Sequence, residues 1–253
     1  QNYSRKLAQS EKVKEFCEAY FGQTVKPGTG SRVSSGEPTE EKQQRQDFRY
    51  RQFLHHQVVS TEEVMAILEL AGKQTEDSDQ AVVLLPCICR YLAYGSDPNL
   101  SCFGLAFTPE YTRRFPQYSG GGHKYVSTEE AKGALEKLIA SGPIVHAMSA
   151  LGVPYLGMLC NCEMPVCIPY IVRQRFDINS PFYKAHHRAR IDPQKCSGCG
   201  SCQDACPFDV AELDSETNLA RIDFNACYGC GVCQRHCPEG AITLVPVEDT
   251  TPF

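Results

Sequence analysis

Two stretches near the C-terminus decide the reading: Cys196-Ser-Gly-Cys199-Gly-Ser-Cys202-Gln-Asp-Ala-Cys206-Pro207 and Cys227-Tyr-Gly-Cys230-Gly-Val-Cys233-Gln-Arg-His-Cys237-Pro238. They are the same pattern repeated at an offset of 31 residues. Each offers three thiols at every third position, then a fourth after three more residues and before a proline. Glycines 198, 200, 229 and 231 let the backbone come close to whatever the thiols hold. The proline after the fourth Cys turns the chain away.

Three closely spaced thiolates suit three corners of a cubane. This run, with its trailing Cys-Pro, is the bacterial ferredoxin spacing, in which the fourth Cys serves the other cluster. On that rule Cys196, Cys199, Cys202 and Cys237 hold one [4Fe–4S] cluster. Cys227, Cys230, Cys233 and Cys206 hold the second. Two structural zinc sites are the alternative, but zinc favours paired Cys-x-x-Cys over this triple. Between the runs, residues 211–223 read as a hairpin with a polar tip. Arg190-Ile-Asp and Ala241-Ile-Thr-Leu-Val245 are expected to pair as edge strands. Backbone amides donating to sulfur and the surrounding acidic groups both act on the redox potential.

Fifteen of 253 residues are cysteine: Cys17, six from Cys87 to Cys167, and eight from Cys196 to Cys237. An odd count with tight Cys-x-Cys and Cys-x-x-Cys spacing argues for metal sites over disulfides, and a reducing cytoplasm fits best. The chain begins with Gln, which leaves room for residues upstream, a removed export signal among them. No window approaches 18 consecutive apolar residues, so no membrane span is expected. The net charge of −5 is uneven: from Arg190 onward ten acidic residues face four basic ones. No basic face accompanies the aromatic residues, so nucleic-acid binding is not suggested.

The preceding chain divides into an amphipathic helix over 1–22, a polar linker or extended arm over 23–47, and an α/β region over 48–189. The two-cluster module takes 190–253. The fold class expected is α+β: an α/β domain with a short parallel sheet, then a ferredoxin-like module. Ser60-Thr-Glu-Glu63 and Ser127-Thr-Glu-Glu130 are capping boxes that start helices. Ala81-Val-Val-Leu-Leu85 and Tyr155-Leu-Gly-Met-Leu159 read as buried strands. A strand–helix–strand order makes these two parallel, with their C-terminal ends on one sheet edge. Cys87 and Cys89 follow the first strand, and Cys160 and Cys162 the second, so all four can meet.

Pro86-Cys87-Ile-Cys89-Arg90, Cys102-Phe-Gly104 and Cys160-Asn-Cys162-Glu-Met-Pro-Val-Cys167 form this second constellation. With Ser127-Thr-Glu-Glu-Ala131 and Gly142-Pro-Ile-Val-His146, it resembles a family of ferredoxin-like 4Fe–4S binding proteins of anaerobes. In that family a Cys-x-Cys-Arg and Cys-Asn-Cys domain precedes a two-cluster ferredoxin domain. The resemblance covers about residues 80–245. Glu163, Pro165 and Val166 stand where many relatives carry further cysteines.

Six thiols (Cys87, Cys89, Cys102, Cys160, Cys162, Cys167) exceed the four that a cubane needs. Four of them are expected to hold a third [4Fe–4S] cluster; zinc and free redox-active thiols are the alternatives. Arg90 is either a stabiliser of a sulfur-rich anion or a surface arginine. Cys17 reads as a buried thiol, His146 as a hydrogen-bonded core residue, and His123 as incidental to its glycine loop. The basic stretch from Arg173 to Arg190 is either a docking surface for an acidic partner or a solvated linker face. No GxGxxG or P-loop marks a nucleotide site. The expected function is single-electron transfer to a redox partner protein, with an oxidoreductase whose middle site is catalytic as the alternative.

Overall fold

The computed structural model describes residues 11, 13–15, 55–73, 78–116, 122–150, 156–164, 166–176 and 182–247. Cys17, the rest of the helix expected over 1–22 and the linker or arm expected over 23–47 lie outside the described residues. Glu11 and residues 13–15 are helical, and Val13 is fully buried.

The first part of the fold is one seven-stranded sheet. In chain order it carries β1 (His55–Val59), α1 (Thr61–Lys73), β2 (Val82–Leu85), α2 (Ile88–Tyr94), β3 (Cys102–Ala106), α3 (Thr108–Arg114), β4 (Lys124–Val126), α4 (Thr128–Ala140), β5 (Ile144–Ala150), β6 (Leu156–Glu163), α5 (Ile168–Phe176) and β7 (Phe182–Tyr183). The strand order is β4-β2-β3-β6-β5-β1-β7.

This corrects the expected short parallel sheet. β2 and β6 do point the same way, but β3 lies between them and runs antiparallel to both. Among the described residues, the parallel pairing is the short β1–β7 contact. A 5-residue strand within the loop between the two predicted strands inserts itself as their spacer. Its alternation is blurred by Gly104, where an added Cβ would stand 2.5 Å from Thr108 and 2.7 Å from Val83.

Both capping boxes form. The Ser60 amide donates to Glu63 at 2.6 Å and the Glu63 amide donates back to Ser60 Oγ at 3.2 Å. The Ser127–Glu130 pair repeats the arrangement at 3.0 and 3.2 Å. Such caps contribute about 0.5–2 kcal/mol each. Helices α1 and α4 cover one sheet face, where Val64, Leu68, Leu135 and Leu138 pack on Val82, Phe103, Ile144 and Leu159. Each fully buried large side chain stabilises by roughly 1.5–3 kcal/mol.

The opposite face receives the C-terminal module. Its strands β8 (His187–Ile191) and β11 (Ile242–Pro246) pair antiparallel, as do β9 (Ala211–Leu213) and β10 (Ala220–Ile222). Short helices α6 (Ser201–Ala205) and α7 (Val232–Arg235) complete it. Val58 and Val145 of the sheet share one buried cluster with Phe208, Tyr228 and Val232 of the module. Arg235 clamps the two together, donating to Thr61 Oγ1 at 2.6 Å and to the Ile144 carbonyl at 2.7 Å.

His146 is a hydrogen-bonded core residue, its Nδ1 2.8 Å from Asn161 Oδ1. Burial, with Arg235 nearby, lowers its pKa from 6.5 to about 4. The folded state therefore binds fewer protons than the unfolded chain between those values. Stability from this group is full above pH 6.5 and lost as pH falls toward 4.

Two outcomes are expected. Replacing Arg235 by Met leaves a buried hydroxyl and carbonyl short of a donor and lowers unfolding free energy by about 1–3 kcal/mol in urea titrations. Between pH 7.5 and pH 5 the wild-type chain loses about 2 kcal/mol more than His146→Gln; equal losses would assign the acid sensitivity elsewhere.

Candidate iron–sulfur sites

The two C-terminal sulfur sets each surround a cavity. One is lined by Cys196, Cys199, Cys202 and Cys237. The other is lined by Cys206, Cys227, Cys230 and Cys233. Each cavity thus takes three thiols from one repeat and the fourth from the other. Much of the remaining wall is apolar, from Ile191, Ala220 and Ile242 in the first, which Ser197, Ser201 and Glu239 also line, and from Val210, Ile222 and Phe208 in the second.

The local backbone explains the convergence. Gly198, Gly200, Gly229 and Gly231 all have φ between 69° and 77°, curling each loop around its cavity. At Gly229 an added Cβ would stand 2.0 Å from the His187 carbonyl oxygen, and at Gly198 2.2 Å from that of Asn218. Amides then reach the sulfurs: Ala220 N–H donates to Cys196 at 3.5 Å, Gly229 to Cys227 at 3.3 Å and Ala241 to Cys237 at 3.3 Å. Burial pushes the Cys230 thiol up to about 12 and raises Cys233 further. Cys199 is exposed, and a hydrogen bond with Ser201 lowers its pKa.

The middle six thiols come together as a closed ring. Cys87 contacts Cys102 and Cys89, Cys102 contacts Cys160, Cys160 contacts Cys162, and Cys162 contacts Cys167, which returns to Cys89. Sheet register builds it. Cys102 lies directly opposite Cys160, and Leu85, two residues before Cys87, pairs with Cys102. Cys160 and Cys162 are two apart on β6 and share a face. Cys89 stands on α2, and Cys167 sits just before α5, whose Ile168 amide donates to Cys89 Sγ at 3.3 Å.

Hydrogen bonds from Cys102 and Cys89, with help from Arg90, hold Cys87 well below the usual thiol range. Those from Cys160 and Cys167 do the same for Cys162. Burial pushes Cys167 up. Among the described residues, no three ligand-type side chains gather tightly enough to hold a single metal ion.

Residues not singled out in the sequence fasten the ring. Buried Asp97 accepts from the Cys87 amide, the Ser101 amide and the Ser101 hydroxyl, each at 2.8 Å. Asn161 donates to the Ser101 carbonyl at 2.9 Å. The middle residue of Cys-Asn-Cys therefore faces away from the sulfurs and ties β6 to β3. The period-2 alternation of a strand was the signal for that role; Asp97 before Pro98 carried only generic turn chemistry.

Arg90 is 6% exposed and so is no surface arginine. It donates to Glu163 at 3.3 Å, a carboxylate that also accepts from Tyr94 at 3.2 Å. A second Arg90 nitrogen, Nη1, is buried without a hydrogen-bond partner. His123 packs against Tyr125 and joins none of the sulfur sets. The basic connector is spent largely within the fold: Arg173 donates to the Phe182 carbonyl, Arg188 to Ala185 and His187, and Lys184 to Asn225.

Residues 188–238 match the 4Fe-4S dicluster domain family model. The chain is similar to a tetrathionate reductase subunit of Salmonella typhimurium, 32% identical over 66 residues, which is 26% of this chain and 24% of that protein. It is also similar to an NADH-quinone oxidoreductase subunit of Pelobacter propionicus, 36% identical over 61 residues, 23% of this chain and 33% of that one. The chain thus spans a quarter to a third of the length of these curated relatives.

Replacing Asp97 by Ala is expected to free the Cys87 and Ser101 amides together. The loss should be about 1–3 kcal/mol in unfolding free energy, with faster reaction of the middle thiols toward a disulfide reagent in metal-free protein. Unchanged thiol reactivity would show that Asp97 does not hold the ring.

Proposed function

We propose that this chain is an iron–sulfur electron-transfer protein or subunit carrying two [4Fe–4S] clusters in its C-terminal module and a third centre on the six-thiol ring. The observation that carries this reading is the interleaving of the cavities: each gathers four thiols in the exchange that the repeat implies. Cys196, Cys199, Cys202 and Cys237 would hold one cluster, and Cys227, Cys230, Cys233 and Cys206 the other.

The residues fit such groups. Four thiols surround each cavity, amides point at the sulfurs, and much of each wall is apolar. A cluster bound in this way supplies reversible one-electron exchange. Four thiols per cavity occupy every iron corner, so the module offers no open position to a substrate. That favours a carrier. The similarity to subunits of a reductase and of an oxidoreductase supports a partner protein as donor or acceptor, and free thiols in such number suit a reducing compartment.

At the ring the chain supplies six thiols, each beside two neighbours, and a buried arginine. Arg90 would balance part of the negative charge that several thiolates bring together. Ring thiols beyond the four that a cubane takes favour a second reading, in which this centre is where an oxidoreductase does its chemistry.

Iron and acid-labile sulfide in anaerobically purified protein test the count. About twelve of each per chain are expected, with three EPR components on stepwise reduction. About eight would confine the clusters to the module, and eight with one zinc would make the ring a structural site. A change in the third EPR component on adding a candidate substrate would favour the catalytic reading.

A further inference from the structure

The three sulfur sets are not equivalent neighbours. Cys160, Cys162 and Cys167 of the ring pack in one buried cluster with Cys206 and Cys230 of the second cavity. No thiol of the first cavity belongs to that cluster. A different cluster joins Cys227 and Cys233 of the second cavity to Cys196, Cys202 and Cys237 of the first. The second cavity is thus the shared member of both contacts.

Aromatic side chains fill the space between ring and second cavity. Phe208 stacks on Tyr228 with centroids 4.0 Å apart and planes 14° from parallel. Tyr170 meets Phe208 edge-on at 5.4 Å and lies within electrostatic reach of both Cys167 and Cys206. Phe182 closes the group against Tyr170, Phe208 and Tyr228. Phe182, Phe208 and Tyr228 are buried, and apolar surroundings lower the reorganisation that an electron's arrival demands. At the far end Cys199 of the first cavity is exposed, whereas Cys227, Cys230 and Cys233 are buried.

We infer that the chain wires its centres in a fixed linear order, from the thiol ring through the Cys206/Cys227/Cys230/Cys233 cavity to the Cys196/Cys199/Cys202/Cys237 cavity, with the Cys199 edge as the port to a partner. This rests on the three-centre reading above. Tunnelling falls steeply with distance, so a centre between two others carries the traffic between them. A one-electron donor meeting the Cys199 edge loses one electron and the ring centre gains one, with no bond made or broken. Phe208, Tyr228 and Tyr170 act as positioning residues that set the separation of ring and second cavity.

Magnetic coupling reads this order without any assay of activity. In fully reduced, anaerobically purified protein, the ring centre's EPR signal should be broadened by its paramagnetic neighbour. The broadening should persist in Cys199→Ala and disappear in Cys227→Ala/Cys230→Ala. Broadening that follows the first cavity instead, or neither, overturns the order. Since a double substitution can unfold the module, pulsed dipolar EPR on the intact chain supplies a second measurement. Two short separations and one long one are expected, and three similar separations overturn the inference. An iron content near eight would remove the third centre and the order with it; an iron content near twelve with the wrong coupling pattern overturns the order alone.

Discussion

The antiparallel pairing of β3 with β6 is the constraint on which the middle of this protein depends. It sets Cys102 opposite Cys160 and brings Asn161 within reach of the Ser101 carbonyl. Once those two strands are in register, Cys162 follows on the same face, and β2 on the other edge of β3 delivers Cys87. A slip of one residue would turn Cys160 and Cys162 to the opposite face and leave Asn161 among the sulfurs. Asn161 resists that slip through its bond to the Ser101 carbonyl, while the Asp97 carboxylate holds Cys87 and Ser101 from one point and so fixes the ends of β2 and β3.

Gathering six thiols in a buried place is costly unless something meets their charge and hydrogen-bonding capacity. The chain meets part of it with backbone amides and with Arg90. Glu163 then fixes that guanidinium through a carboxylate next to Cys162 in sequence. The visible effect of a carboxylate at this position is to orient a cation. The same economy appears in the module, where glycines in the left-handed region turn amides toward sulfur.

The type of the module was legible in its spacing, and residues 188–238 match a 4Fe-4S dicluster domain. Cys-x-x-Cys-x-x-Cys-x-x-x-Cys-Pro encodes a local loop geometry, and local geometry is what sequence spacing describes best. The hairpin at 211–223 was legible for the same reason, since a short connection leaves few alternatives; the strands flanking the module pair across its whole length, and there the two strand-like runs at its ends were the signal. Both capping boxes, whose partners are three residues apart, belong with them. The parallel sheet was misread because β3 is short, contains Gly104 and lay hidden in a loop between two stronger strands. The direction of β2 and β6 came out right for a different reason, two antiparallel steps in place of one parallel step.

The sequence by itself determined a 4Fe-4S dicluster type of module, because each repeat's closely spaced cysteines form a local loop pattern that turns around glycine. It also showed that six further thiols had to be accounted for. Tertiary structure alone decided that those six close into one ring, since Cys89 and Cys167 are brought together by strand register and helix packing across 78 residues of chain. It alone made Arg90 a buried cation, gave Asp97 and Asn161 their work, and set the aromatic group between the ring and one cavity and not the other. Long-range contacts of this kind leave no local signature: they depend on which sheet face is covered, and by what.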